Sequence, residues 1–202
     1  MQFSDDEEKL LSWLKANYLN LIFGLVIGAS IVLGYNYFQS SALAQQHEIS
    51  LIYQKSIKNY KNGEFDIFME NVENLKAKHP SNIYTAMINL YTSKYYHEKD
   101  MLDEAKKYLS HIVDNSDSDQ FKFIANTRLA RINLSQKKYE EALRNLANTN
   151  TTNNPIVLDI TGDVMLATGN KIEAIKNYEL AIRFETIPNK SKLIESKLST
   201  IR

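Results

Sequence analysis

Residues 162–181 read GDVMLATGNKIEAIKNYELA, and this stretch decides the fold. Gly162, Ala174, Tyr178 and Ala181 stand in it at offsets 0, 12, 16 and 19, with Gly169-Asn170 as a break between two apolar runs of helical period. Two antiparallel helices approach closely only where small side chains meet, and a large ring then fills the space left toward the next element. The spacing predicts a helix pair in which Gly162, Ala174 and Ala181 mark the close approach and Tyr178 is the filler.

The pattern recurs upstream. Ile172-Glu173-Ala174-Ile175-Lys176-Asn177-Tyr178 is preceded by Glu140-Glu141-Ala142-Leu143-Arg144-Asn145-Leu146, and before that by Asp103-Glu104-Ala105-Lys106-Lys107-Tyr108-Leu109. The alanines lie 37 and 32 residues apart, which brackets the 34-residue tetratricopeptide period. In the middle copy Ala130, Ala142 and Leu146 take three of the four positions and Thr149 replaces the last alanine; the first copy has Ser93, Ala105, Leu109 and Ile112. Each copy has a short turn between its helices, at Lys99-Asp100, Lys137-Lys138 and Gly169-Asn170. A plain helical bundle gives no reason for three matches in register.

Working outward, helical stripes cover nearly all of the chain after residue 45. The expected helices run from Ile49 to a cap near Gly63, Phe65 to Lys78, Ile83 to Tyr96, Leu102 to Val113, Phe121 to Leu134, Tyr139 to Leu146, Ile156 to Ala167, Ile172 to Phe184, and onward from Pro188. The polar run Asn148–Asn154 reads as a loose joint between the second and third pairs. With only six Gly and three Pro in 202 residues, long helices with short connections are favoured.

Leu19–Phe38, reading LNLIFGLVIGASIVLGYNYF, holds no charged residue. Twenty helical residues span about 30 Å, the thickness of a bilayer's hydrocarbon core. Trp13 and Tyr18 on one side, with Tyr35 and Tyr37 on the other, are placed like interfacial belts. The fold class is thus all-α, with a single N-terminal transmembrane helix followed by an α-solenoid of tetratricopeptide-like helix pairs. The segments expected are a short cytoplasmic stretch at 1–18, a signal anchor at 19–38 and a repeat domain at 39–202. The nearest bases, Lys9 and Lys15, precede the span and place the N-terminus in the cytoplasm.

Gly24, Gly28, Ser30 and Gly34 put small residues one turn apart in the span, a spacing that lets another helix pack closely. Ser4-Asp5-Asp6-Glu7 reads as a capping box at the start of the helix. Ala42-Leu43-Ala44 offers a leader-peptidase site, so the rival reading is a cleaved, exported tetratricopeptide scaffold for envelope assembly or cell division. Against it stand the length of the apolar run, an acidic rather than basic leader, and the absence of Gly or Pro between Gly34 and Gly63.

Lys plus Arg equals Asp plus Glu at 24 each, so no basic stripe suits a polyphosphate, and nucleic acid is set aside as a partner. No cysteine is present, which excludes disulfides and thiolate chemistry. His47, His79, His97 and His111 are scattered without metal-ligand spacing and are expected on surfaces. Asp103-Glu104 and Glu140-Glu141 fall at helix starts, where carboxylates favour the dipole. The reading is non-enzymatic, with no cofactor. Most of the twelve tyrosines, among them Tyr84, Tyr91, Tyr95, Tyr108, Tyr139 and Tyr178, are expected in the repeat core, a few lining a binding face.

Taken in order, several segments resemble the YfgM family of Gram-negative bacteria, ancillary subunits of the SecYEG translocon. They are DDEEKLLSWLKAN at 5–17, the apolar span with Gly24, Gly28 and Gly34, Gly34-Tyr35-Asn36-Tyr37-Phe38 at its end, Asn126-Thr127-Arg128-Leu129-Ala130-Arg131, and Asp159-Ile160-Thr161-Gly162-Asp163. The resemblance covers essentially the whole chain. It implies a bacterial inner-membrane protein, single-pass, with a cytoplasmic N-terminus and a periplasmic repeat domain. The implied partners are the SecYEG translocon, a periplasmic chaperone of the PpiD type, nascent secreted polypeptides, and a stress response regulator at the cytoplasmic segment. The implied role is to help pass translocated polypeptides to periplasmic chaperones, with a link to envelope stress signalling.

Overall fold

A computed structural model describes residues 5–201; the expected capping residue Ser4 lies outside the described residues. The described chain is helical with short connections: α1 (Asp5–Lys61), α2 (Phe65–Lys78), α3 (Ile83–Glu98), α4 (Leu102–Asn115), α5 (Asp119–Ser135), α6 (Tyr139–Ala147), α7 (Pro155–Ala167), α8 (Lys171–Phe184) and α9 (Pro188–Ile201). It divides into two compact units, Met1–Leu51 and Ile52–Arg202.

The described part of the first unit is helix. Its apolar window is buried nowhere in the chain, and it is the one helix among the described residues long and apolar enough to cross a membrane. A soluble core helix would hide such side chains; Phe23, Leu25 and Leu33 instead stand exposed. At Gly24, Gly28 and Gly34 an added Cβ would meet nothing within 4 Å. The Ser30 hydroxyl donates to the carbonyl of Val26 at 2.8 Å and is satisfied inside its own helix.

The second unit is a succession of helix pairs joined by one repeated turn. α1 ends with Gly63 at φ 80°, whose N–H donates to Tyr60 O while Glu64 N–H donates to Asn59 O. These two bonds define a Schellman cap. The same two bonds close α3 around Asp100 (φ 59°), α5 around Lys137 (φ 60°) and α7 around Gly169 (φ 83°). The turn therefore recurs at 63, 100, 137 and 169, at intervals of 37, 37 and 32 residues. Entry into helices is equally local: Asn82 Oδ1 accepts from Tyr84 N, and Asn154 Oδ1 accepts from Ile156 N with Pro155 opening α7.

Each pair shares a core with the helix that follows. Ala86 of α3, Ala105, Leu109 and Ile112 of α4, and Ala125, Leu129 and Ile132 of α5 form one cluster. Ala130 of α5 joins Ala142 and Leu146 of α6 and Val157, Ile160 and Val164 of α7. Leu158 of α7 joins Ala174, Tyr178 and Ala181 of α8 and Ile194 and Leu198 of α9. α5 and α7 thus bury one side against the preceding helix pair and another against the next, as stacked repeats must. The joint at 148–154 is not loose, because the core formed by α5, α6 and α7 runs straight across it.

Candidate interaction surface

The positions singled out from the repeat spacing fall as follows. Ala105, Leu109, Ala130, Ala142, Ala174 and Ala181 are fully buried, Tyr178 is 1% exposed and Leu146 is 4% exposed. Gly162 faces Tyr178 directly: a Cβ there would lie 2.6 Å from Cε1 and 2.7 Å from Cδ1 of the ring. The structure brings Gly162, Ala174, Tyr178 and Ala181 together, keeps Ala105 with Leu109, and gathers Ala130, Ala142 and Leu146 in a third place. Gly24, Gly28, Ser30 and Gly34 belong to α1, in the first compact unit.

Beyond Tyr178 is an ionic clasp that side-chain spacing did not disclose. Lys197 Nζ of α9 donates to Asp159 Oδ1 at 2.7 Å and to both oxygens of Asp163 at 2.8 Å. The Tyr178 hydroxyl donates to Asp163 Oδ1 at 2.8 Å. Asp159 and Asp163 are i and i+4 on α7, so one ammonium reaches both. Burial pushes the Asp159 carboxyl above its ordinary range, and the contact with Lys197 only partly opposes this. Burial, then the bond to Asp163, likewise raises the Tyr178 hydroxyl. The Asp159–Asp163 segment, read in the sequence as part of a resemblance, is in the structure the seat of the terminal helix.

The opposite end is aromatic. Tyr60 packs against Phe68 (5.1 Å between centroids), Tyr91 (6.2 Å) and Tyr95 (6.1 Å), and Phe65 stacks on Tyr95 at 4.0 Å. Tyr96 lies parallel to Tyr108 at 5.5 Å. Phe68 and Tyr108 are buried, Tyr60, Phe65, Tyr95 and Tyr96 are half-buried, and Tyr91 is 37% exposed. His111 is not a surface residue either: it is half-buried, with Nδ1 3.1 Å from Asn89 Nδ2, and desolvation, then Lys76, hold its pKa below the usual value.

The surface best shaped to receive another molecule runs between α3 and α5. Ser93, Lys94 and His97 of α3 and Arg128, Arg131 and Ile132 of α5 surround a cavity of about 230 Å³, floored by Leu109 of α4. A second hollow of about 320 Å³ continues it, lined by Met87, Leu90, Tyr91 and Lys94 of α3 and Phe121 and Arg128 of α5. Lys94 and Arg128 belong to both, so the two form one groove. On α3 the lining residues recur at helical spacing, a single face of the helix. The floor is apolar and the rim cationic. Desolvation, then the nearby Arg131, hold the Arg128 guanidinium below its ordinary pKa, although the side chain keeps contact with solvent. It stays charged at neutral pH.

What this arrangement offers is an apolar floor and a cationic rim. No group of three or more His, Cys, Asp or Glu that could hold a metal occurs among the described residues. The sequence reading expected Tyr91 in the repeat core, whereas it lies on this groove and is 37% exposed, and it took Arg128 and Arg131 only as part of a resemblance. Their signal was available: they are three apart on one helix, beside buried Leu129, Ala130 and Ile132.

Comparison with known proteins agrees with this architecture. The profile of the family described as tetratricopeptide repeat-like domain matches residues 11–202. A protein of Escherichia coli (strain K12) named Ancillary SecYEG translocon subunit is 24% identical over 199 residues, 98% of this chain and 96% of its own length. Proteins of the same name from Neisseria gonorrhoeae (27% over 188 residues, 90% and 88%) and Buchnera aphidicola (26% over 196 residues, 96% and 98%) are similar along comparable spans. The resemblance drawn from the sequence is borne out: the chain belongs to the tetratricopeptide repeat-like family, and these relatives, similar over nearly the full chain, are named ancillary SecYEG translocon subunits.

Proposed function

We propose that this chain is an ancillary, non-enzymatic subunit of the Sec translocon. Residues 19–38 span the inner membrane as a permanent anchor, residues 1–18 lie in the cytoplasm, and the repeat domain at 39–202 lies in the periplasm. The observation that carries the proposal is that relatives of that name align over both the apolar helix and the repeats, up to 98% of the chain. What is shared is the combination of anchor and platform. The anchor docks beside the channel through Gly24, Gly28, Ser30 and Gly34, where an added Cβ at each glycine would meet nothing within 4 Å. The repeat domain helps pass emerging polypeptides to periplasmic chaperones of the PpiD type, with Ala105, Leu109, Ala130, Ala142, Leu146, Gly162, Ala174, Tyr178 and Ala181 packing its helices. The short cytoplasmic segment is the place for a stress response regulator.

Affinity purification of the full chain from detergent-solubilised membranes tests the proposal. Channel subunits are expected in the eluate, and Gly24→Leu with Gly28→Leu is expected to deplete them while the helical content of the repeats stays unchanged. Channel subunits missing from the wild-type eluate would refute it. Ala42-Leu43-Ala44 supports the second reading, an exported scaffold cut after Ala44. A mature N-terminus at Gln45 in N-terminal sequencing would establish that reading in place of the first.

A further inference from the structure

We infer that the exposed stretch formed by the end of α8 and the start of α9 docks on the headgroups of an anionic lipid bilayer. The inference rests on the reading of residues 19–38 as a membrane anchor and adds to it a second, peripheral contact made by the repeat domain. Residues 183–202 hold Arg183, Lys190, Lys192, Lys197 and Arg202 against Glu185 and Glu195, a sum of +3, so the rest of a chain whose formal charge is zero sums to −3. Both carboxylates of the stretch are engaged locally. Glu185 Oε1 accepts from the N–H of Ile187 at 2.9 Å, and Glu195 Oε1 accepts from the Ser191 hydroxyl at 3.0 Å. Lys197 is held in the clasp by Asp159 and Asp163. Arg183, Lys190 and Lys192 stand exposed to solvent.

Apolar side chains stand among these cations. Phe184 is 37% exposed, Ile187 47% and Leu193 62%. The inner side of α9 is accounted for by Ile194 and Leu198, which are buried in one cluster with Leu158 of α7 and Tyr178 of α8. Leu193 precedes Ile194 and lies about 100° around the helix from it, away from that core. A helix that only capped the repeats would present polar side chains there. A bilayer surface matches both features of the stretch. Apolar side chains enter the boundary between headgroups and acyl chains, while long basic side chains keep their charge among the lipid phosphates. A folded protein partner would need an acidic surface of matching shape, whereas the anchor supplies a bilayer to every copy of the chain.

The chain has no cysteine, so Ser196→Cys, at an exposed position of α9, takes a single environment-sensitive NBD label. Glu141→Cys, at an exposed position of α6, carries the same label as a reference. The full chain would be reconstituted in nanodiscs of phosphatidylcholine, or of phosphatidylcholine with phosphatidylglycerol, each with and without doxyl-labelled lipid. Doxyl lipid is expected to quench the α9 probe in the anionic discs and far less in the neutral ones, and high salt should abolish the difference. The reference probe should not respond. Lys190→Gln with Lys192→Gln should lower the docked-to-free ratio about tenfold or more, since each lysine near an anionic surface favours docking by about fivefold. Ile187→Asn with Leu193→Asn should lower it as well, with circular dichroism confirming that both variants stay folded. Equal quenching in the two kinds of disc, quenching no greater than at the reference, or an undiminished response in the lysine variant would overturn the inference. A blue shift without quenching would also overturn it, because it would set this surface against protein. Entry of the chain into the disc is read separately by co-elution with lipid. A chain that does not enter sinks the anchor reading, and the same probe read against added phosphatidylglycerol vesicles then decides the docking.

Discussion

The α7–α8 pair and the α3–α4 pair meet the same packing demand with different side chains. At the C-terminal end Gly162 removes its Cβ from the path of Tyr178, and the ring fills the interior with its hydroxyl on Asp163. At the corresponding offsets in the earlier pair stand Ser93, 3% exposed, and Leu109, fully buried, while the aromatic bulk lies beside them, half-buried Tyr96 stacked on buried Tyr108. The turn geometry is common to both, with a positive φ at Asp100 and at Gly169. What the difference teaches is that the turn and the close approach set the register, and the identity of the filler is free provided the volume is filled.

The largest effect should come from emptying the two fillers. Tyr178→Ala is expected to cost about 3–5 kcal/mol and Leu109→Ala about 2–5 kcal/mol in urea unfolding followed by circular dichroism, with the ring the more costly of the two. A larger loss at Leu109 would break the comparison, because it would place the tighter packing in the earlier pair. Refilling the close approach comes next. Gly162→Val should cost about 1–3 kcal/mol by overpacking a buried ring that is also held by its hydroxyl. Ser93→Ala should stay within about 1 kcal/mol.

The clasp sharpens the contrast through pH. Because burial raises Asp159, the folded chain holds this proton more tightly than the unfolded chain. The stability this carboxyl contributes is greatest below its unfolded pKa of about 3.9 and is lost as pH rises through its higher folded value. Lys197 opposes that rise. Lys197→Met removes the opposition and drives the folded value further up, so the variant's deficit should grow from acid to neutral pH, reaching about 1–3 kcal/mol. A deficit independent of pH would mean that α9 is held by Ile194 and Leu198 alone. The smallest effect belongs to the shared turn: Lys137→Gly relieves a positive φ and should raise stability by about 1 kcal/mol, while Gly169→Ala should lower it by a similar amount.

Much of the fold was legible because period and punctuation are local. Helices expected at Ile83–Tyr96 and Leu102–Val113 extend by two residues each, to Glu98 and Asn115, where exposed polar side chains carry no apolar stripe to mark the end. Gly162 and Tyr178 were readable together because a small residue and a ring at fixed offsets have one physical meaning. α3 was harder. Thr85, Asn89, Thr92 and Ser93 are all buried in it, with Thr85 and Thr92 donating to the backbone carbonyls of His79 and Ile88. A polar residue that satisfies itself on the backbone leaves no trace in a hydrophobic pattern. Lys197 was equally silent, since its reach to Asp159 and Asp163 depends on where α9 docks, which is a long-range outcome. The groove was as hard to read, since its cations come from both α3 and α5 and its floor includes Leu109 of α4.

The central claim is that residues 19–38 remain as a tether while the helix pairs present their faces beyond the membrane. Membranes from cells expressing the full chain should be washed at alkaline pH and the fractions probed with an antibody to the repeat domain. The account requires the intact chain, at its full length, in the pelleted bilayer. A shortened form recovered quantitatively in the supernatant would contradict it.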